Sequence, residues 1–266
     1  MNFRILKILP FLTLLLIFSC DEVEYNPYDI DNNPDYIPPE TNIIEGPSEG
    51  ETLDVTAIVV RWEGNEMIID FSYKLDSNDW SEWADITSVT LEYLDEGTHS
   101  FSVKGRYTES IEDETPASVS FTVDAVQGPA LRIYPMLTEV SSGETFSVDL
   151  FAEEVSSLTF GEVKLSYDPS FVTFDLVENI GFLVGNDDDI IFISEHINEN
   201  QINISFALTQ GQSLEGTGEL CSFTFSAISS GDFPLMILGP DSTKFRDSDN
   251  NNIPINDISN GMVYVE

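Results

Sequence analysis

The chain has 266 residues, with 10 Lys and Arg against 48 Asp and Glu and a formal net charge of −38. So few cations cannot grip a phosphate backbone or form a polybasic lipid patch, so nucleic-acid binding and headgroup recognition of that kind are excluded. Hydrophobic content of 41% and aromatic content of 11% suffice for packed cores, two cysteines cannot frame a disulfide scaffold, and two histidines leave little for a zinc enzyme or a His-based acid–base catalyst.

Residues 1–19 have the pattern of a signal peptide. Arg4 and Lys7 stand without an acid, Ile8 to Phe18 is nearly all apolar, and Ser19 and Cys20 follow. The apolar run is shorter than the roughly 20 residues that a membrane span needs. Ile17-Phe18-Ser19-Cys20 resembles a bacterial lipobox. That resemblance implies cleavage before Cys20, lipidation of Cys20 and membrane attachment through this lipid alone. Loss of Arg4 and Lys7 would leave 8 basic residues against 48 acidic ones, a net charge of −40. Asp21-Glu22-Val23-Glu24 resembles the surface-export signal of Bacteroidota lipoproteins, and it is equally the acidic start of a solvated linker. The expected location is the outer membrane or cell surface.

Residues 20–45 are rich in Asp, Asn, Tyr and Pro, including Pro27, Pro34, Pro38 and Pro39, and show no periodicity. They read as a disordered, semi-extended tether.

Over residues 46–125 the pattern has period two. Leu53, Val55, Ala57 and Val59 form one apolar set, Phe71, Tyr73 and Leu75 with Ile69 another, and Phe101 with Val103 and Val119, Phe121 and Val123 close the series. Turn signals at Glu63-Gly64-Asn65 and Asp95-Glu96-Gly97 separate the runs. Six or seven short strands predict an immunoglobulin-like sandwich. The segment from Phe71 through Tyr73 and Leu75 to Trp80-Ser81-Glu82-Trp83 resembles a strand of fibronectin-III-like and "Y_Y_Y" extracellular modules. Leu94-Asp-Glu-Gly-Thr-His-Ser-Phe-Ser-Val-Lys104 resembles their later hairpin, with Gly105 where Ala is common. The resemblance implies a spacer or interaction module rather than a catalyst. Trp80 and Trp83 are either an exposed platform for carbohydrate binding or a cap on the core edge.

After a linker at 126–130, residues 130–266 form a second β-rich region. Nine strands are predicted: 131–134, 145–152, 160–167, 172–177, 190–194, 201–207, 219–227, 233–238 and 262–265. With no long amphipathic helix they predict a jelly-roll sandwich, so the whole chain is expected to be all-β. Cys221 shares its parity with Phe223, Phe225 and Ala227, which places it in the core. Ser142-Gly143-Glu144-Thr145-Phe146-Ser147-Val148, Gly161-Glu-Val-Lys-Leu-Ser-Tyr-Asp-Pro169, Ile202-Asn-Ile-Ser-Phe206, Gly218-Glu-Leu-Cys-Ser-Phe-Thr-Phe225 and Gly261-Met-Val-Tyr-Val265 run in the order found in cohesin domains. The region resembles that family and the related carbohydrate-binding jelly rolls. The resemblance implies a dockerin-like protein partner or a polysaccharide.

Gly46-Pro47-Ser48-Glu49-Gly50 fits the G-x-S-x-G pattern of a nucleophile elbow. A Pro-rich segment precedes it and a strand follows, so it reads as a turn. No carboxylate pair stands apart from the other acids, and His99 and His196 read as ordinary surface positions, so no enzyme is expected. Asp247, Asp249 and Asn251 begin like a calcium loop, but the twelfth position is Ile258 rather than Glu. A looser Ca2+ site at these three residues is the one cofactor in view. Asp187-Asp188-Asp189 reads as a solvated loop tip. The expected function is a lipid-anchored surface binding protein in extracellular polysaccharide handling. The alternative is a structural envelope or adhesion lipoprotein with no glycan role.

Overall fold

A computed structural model describes residues 35–179, 181, 189–239 and 241–266. Cys20 and most of the tether lie outside the described residues. Residues Pro39–Glu266 form one compact unit. Its elements are strands, and among the described residues no helix is long and apolar enough to cross a membrane.

The first sandwich sets a sheet of β1 (Thr41–Glu45), β3 (Ile58–Gly64) and β5 (Ser88–Leu91) against one ordered β2 (Glu51–Leu53), β8 (Ala117–Val123), β6 (Gly97–Thr108) and β4 (Asp70–Leu75). β7 (Ile111–Glu112) folds back on the end of β6. β2 and β8 run parallel, pairing Glu51 with Phe121 and Leu53 with Val123. This is the immunoglobulin-like arrangement. Its core gathers Val60, Trp62, Phe71, Leu94, Phe101, Val119 and Phe121. The Trp62 ring lies about 6 Å from those of Phe71, Tyr73 and Phe101, and its indole N–H donates to the Ile86 carbonyl at 3.1 Å.

Two expectations change here. The segment 41–45 is a strand rather than tether. Thr41 is buried, donates its N–H to the Asp113 carboxylate at 2.9 Å and accepts from Gly105 N–H with its hydroxyl at 2.9 Å. The apolar parity assumed for Leu53 to Val59 also fails, with Val55 and Val59 both exposed. β2 and β3 lie in different sheets, so one alternation cannot run through both. In β3 the inward positions are Ile58, Val60 and Trp62, which leaves Val59 exposed.

The second sandwich contains all nine expected strands: β9 (Ala130–Tyr134), β11 (Thr145–Leu158), β12 (Phe160–Ser166), β13 (Val172–Asn179), β14 (Ile190–Asn198), β15 (Gln201–Leu208), β16 (Leu214–Ala227), β17 (Gly231–Ile237) and β21 (Gly261–Val265). Four short ones join them: β10 (Leu137–Val140), β18 (Lys244–Arg246), β19 (Asn252–Ile253) and β20 (Asp257–Ser259). At two to four residues each, these are too short to display an alternation. One sheet runs β10-β21-β17-β12-β15-β14, with β18 beside β12, and the other runs β13-β16-β11-β9-β20. From β11 to β21 the path repeatedly changes sheet, which is the jelly-roll path. The core includes Leu131, Leu150, Val163, Leu165, Ile202, Ile204, Phe206, Phe223, Phe225 and Leu235. Cys221 is fully buried, and burial pushes its thiol well above the ordinary range. Gly161 sits directly over Phe206, where an added Cβ would approach a ring carbon to 2.2 Å.

Candidate functional site

Strand alternation dictates what the outer face of the β14-β15-β12 sheet carries. In β12, Val163 and Leu165 point into the core, so Phe160, Glu162, Lys164 and Ser166 take the outer face. In β15, Ile202, Ile204 and Phe206 point inward, which puts Asn203, Ser205 and Ala207 outside. Phe192 of β14 packs on the core, leaving Ile191 and Ile193 52% and 51% exposed.

The registers assemble these residues into rows. Ile191 is opposite Ala207, Ala207 opposite Phe160, and Phe160 opposite Arg246 of β18. The next row is Ile193, Ser205, Glu162 and Lys244, followed by Glu195, Asn203 and Lys164. At about 4.8 Å between strands, four strands give a face about 14 Å across, apolar along β14 and charged along β12 and β18. Lys244 reaches the Glu162 carboxylate at 3.4 Å and Lys164 reaches it at 4.0 Å, while the Arg246 guanidinium donates to the Asn250 carbonyl at 2.9 Å. The Asn203 amide donates to Ser205 at 3.3 Å, and its buried carbonyl oxygen has no partner among the described residues.

The census of bases makes this face stand out. Residues 130–266 contain four basic residues, Arg132, Lys164, Lys244 and Arg246. Arg132 is buried in an ion pair with Glu153 and stacked 4.0 Å from the Phe151 ring centre. The other three all lie on the outer face just described, on a chain that is otherwise overwhelmingly acidic. Sequence reasoning missed this face, although strand parity combined with a map of the basic residues points to it.

The residues singled out from the sequence fall elsewhere. Trp80 and Trp83 are half-buried against the outer face of the β4–β6 sheet. Lys74 lies 5.2 Å and Lys104 4.8 Å from the Trp80 ring centre, and Arg106 lies 4.3 Å from that of Trp83. Arg106 also holds Asp70 with two hydrogen bonds of 2.6 and 2.7 Å, and Lys104 holds Glu112 at 2.6 Å. The two indoles are rungs of a cation–aromatic ladder.

Asp247, Asp249 and Asn251 form the turn between β18 and β19. Asp247 accepts the N–H groups of Asp249 and Asn251 at 2.9 and 2.8 Å and the Asn251 side-chain amide at 2.9 Å. These donors, the Asn251 side chain foremost, hold the Asp247 carboxyl below its usual range. Among the described residues no group of three His, Cys, Asp or Glu is placed to hold a metal ion. The turn is closed by its own N–H groups.

His99, expected at the surface, is buried with both ring nitrogens in hydrogen-bond contact. His196 is exposed, and its Nε2 lies 2.8 Å from the Tyr167 hydroxyl. Asp189 is buried and accepts from the side chains of Gln210 and Gln212, so it is not a loop tip. Asp187 and Asp188 lie outside the described residues. Gly46 to Gly50 is the turn between β1 and β2, where Ser48 N–H donates to Glu51 at 2.7 Å.

No protein-family model matches the chain, and no curated protein matches it. Solved cohesins resemble it over about half its length. A non-cellulosomal cohesin from the archaeon Archaeoglobus fulgidus is 20% identical, covers 52% of this chain and 90% of its own, and has a TM-score of 0.43. A cohesin from Clostridium acetobutylicum is 23% identical over 51% of this chain and 90% of its own, with a TM-score of 0.44. The sixth cohesin of scaffoldin B from Acetivibrio cellulolyticus, solved in complex with a dockerin, is 17% identical over 53% of this chain and 100% of its own, with a TM-score of 0.45.

Proposed function

We propose that this chain is a non-enzymatic, lipid-anchored surface protein whose second sandwich docks a dockerin-like protein on the outer face of β14, β15, β12 and β18. The observation that carries the reading is the mixed character of that face. Ile191 and Ile193 offer a desolvatable ridge, Asn203 an unpartnered carbonyl, and Lys164, Lys244 and Arg246 the cations that an acidic chain has to spare. Apolar patches rimmed by polar and charged groups suit protein docking. The motif order over residues 130–266 supports the same partner class. A polysaccharide is the weaker reading, because Phe160 is the one aromatic residue in these rows and it is half-buried. The anchor at Cys20 and display at the outer membrane or cell surface rest on the lipobox resemblance.

The test is binding of the whole mature chain to purified dockerins, beside a polysaccharide panel. Binding of a dockerin that is lost in Ile193→Asp supports the reading. Retention on a glycan with no dockerin bound overturns the partner, and binding to neither favours a structural envelope role. Removal of the chain from intact cells by added protease supports outward display, and protection rules it out.

A further inference from the structure

The two sandwiches are joined by the short segment 124–129, and that segment is gripped from both sides. From the first sandwich, the loop between β5 and β6 supplies two carboxylates. Glu96 accepts the N–H groups of Ala125 and Val126 at 2.9 Å each, and Asp95 reaches into the second sandwich to accept Met136 N–H at 2.7 Å. Tyr93 of the same loop shares a side-chain hydrogen bond with Tyr264 of β21. From the second sandwich, Asn256 donates its backbone N–H to the Pro129 carbonyl at 2.7 Å and its amide to the Gly128 carbonyl at 2.9 Å. The approach is close: an added Cβ on Gly128 would stand 2.6 Å from the Glu153 carbonyl oxygen.

His99 lies under this loop. Its Nδ1 is 2.8 Å from an Asp76 carboxylate oxygen and its Nε2 is 2.7 Å from the Asp95 backbone carbonyl. A carbonyl can only accept, and so can an ionised carboxylate, so both ring nitrogens must donate. A neutral imidazole has a single N–H, so the geometry requires the imidazolium. Asp76 is fixed in turn by Ser100 N–H at 2.8 Å. One residue, Asp95, therefore presents its carbonyl to His99 and its carboxylate to Met136.

We propose that protonated His99 pins a pH-dependent lock between the two sandwiches, holding the Asp95 loop in the position that grips Met136. The groups facing His99 are Asp76 from the turn after β4, Asp95 from the β5–β6 loop and the Phe121 ring of β8, 5.6 Å away. Behind them, Arg132 of β9 acts on Asp95, while Glu153 of β11 and Asp124 of the linker act on Glu96. The directions agree. Burial lowers the His99 value, but its hydrogen bonds to the Asp95 carbonyl and the Asp76 carboxylate outweigh this and leave it raised. Burial raises Asp95 and Glu96 as well, partly offset by the N–H groups they accept. All three groups hold protons more tightly in the folded junction than in the unfolded chain. The lock is therefore strongest on the acid side and weakens as pH rises through the raised His99 value.

Residue-resolved hydrogen exchange on the whole mature chain tests this, after correction for the intrinsic base-catalysed rate. The Met136 amide is expected to exchange several-fold faster at pH 9 than at pH 6, as its grip loosens when His99 loses its proton. The Val103 amide in the β6 core is expected to stay unchanged. His99→Gln should remove the pH dependence at Met136. Asp95→Asn retains the carbonyl that His99 needs, so it should speed Met136 exchange at every pH while leaving a normal His99 titration. Constant Met136 protection from pH 6 to 9, an unaltered pH dependence in His99→Gln, or a neutral His99 ring by nitrogen NMR at pH 6 would each overturn the proposal.

Discussion

The Arg106 guanidinium lies over the Trp83 indole, 4.3 Å from its centre, while also binding both oxygens of Asp70. The pair closes the ladder that continues through Lys104, Trp80 and Lys74. Three of the ten basic residues of the chain are committed to it. Trp83→Ala is therefore expected to lower the unfolding free energy by about 1–3 kcal/mol, from lost apolar area and lost cation–aromatic contact. Urea denaturation checks this. A change below about 0.5 kcal/mol, the usual range of a bare surface site, would show that the ladder contributes little.

On the docking face, charge and apolar contact should separate experimentally. Lys164→Glu is expected to slow association with a dockerin and to flatten its salt dependence. Ile193→Asp is expected to speed dissociation, with a loss of about tenfold or more in affinity. Neither should shift the melting temperature by more than a few degrees, because both side chains point away from the core. Equal effects of both changes on the association rate would contradict this division.

Gly161→Ala drives a methyl group into the Phe206 ring on the core side of β12. Overpacking of this kind costs about 1–3 kcal/mol. Phe206→Leu makes room, so the double variant should lose less than the sum of the two single changes. Strict additivity in a double-mutant cycle would show that the contact is not what excludes a side chain at position 161.

The Asp247 turn offers a contrast between a calcium site and a self-closed loop. Asp247→Ala is expected to lower the melting temperature equally with and without added calcium, since the lost partners are N–H groups of Asp249 and Asn251. A calcium-dependent rise in the parent that disappears in Asp247→Ala would restore the metal reading.

Much of the architecture was legible in the sequence where an alternation ran for five residues or more. The nine long strands of the second sandwich and the inward Cys221 follow from period two alone. The misreadings have local causes. Val59 and Val60 are both apolar, and only the bulk of Trp62 two positions on decides which faces inward. His99 lies between Thr98 and Ser100, so nothing adjacent reveals that Asp76, 23 residues away, will hold its ring. Trp80 and Trp83 looked available because their covering cations come from β4 and β6. The outer face of β14, β15, β12 and β18 was hidden for the opposite reason: its residues look ordinary one by one, and only the strand pairing collects them.

The parallel pairing of β2 with β8 has a mechanical meaning. Tension between the N-terminal side and the second sandwich enters at β1, passes to β2 once β1 leaves β3, and exits through Val123 at the end of β8. Because the two strands point the same way, opposite pulls slide them along each other. The ladder from Glu51–Phe121 to Leu53–Val123 is then strained as a set instead of peeling rung by rung. Along this path the β2–β8 pair meets the pull in shear, in series with the second sandwich.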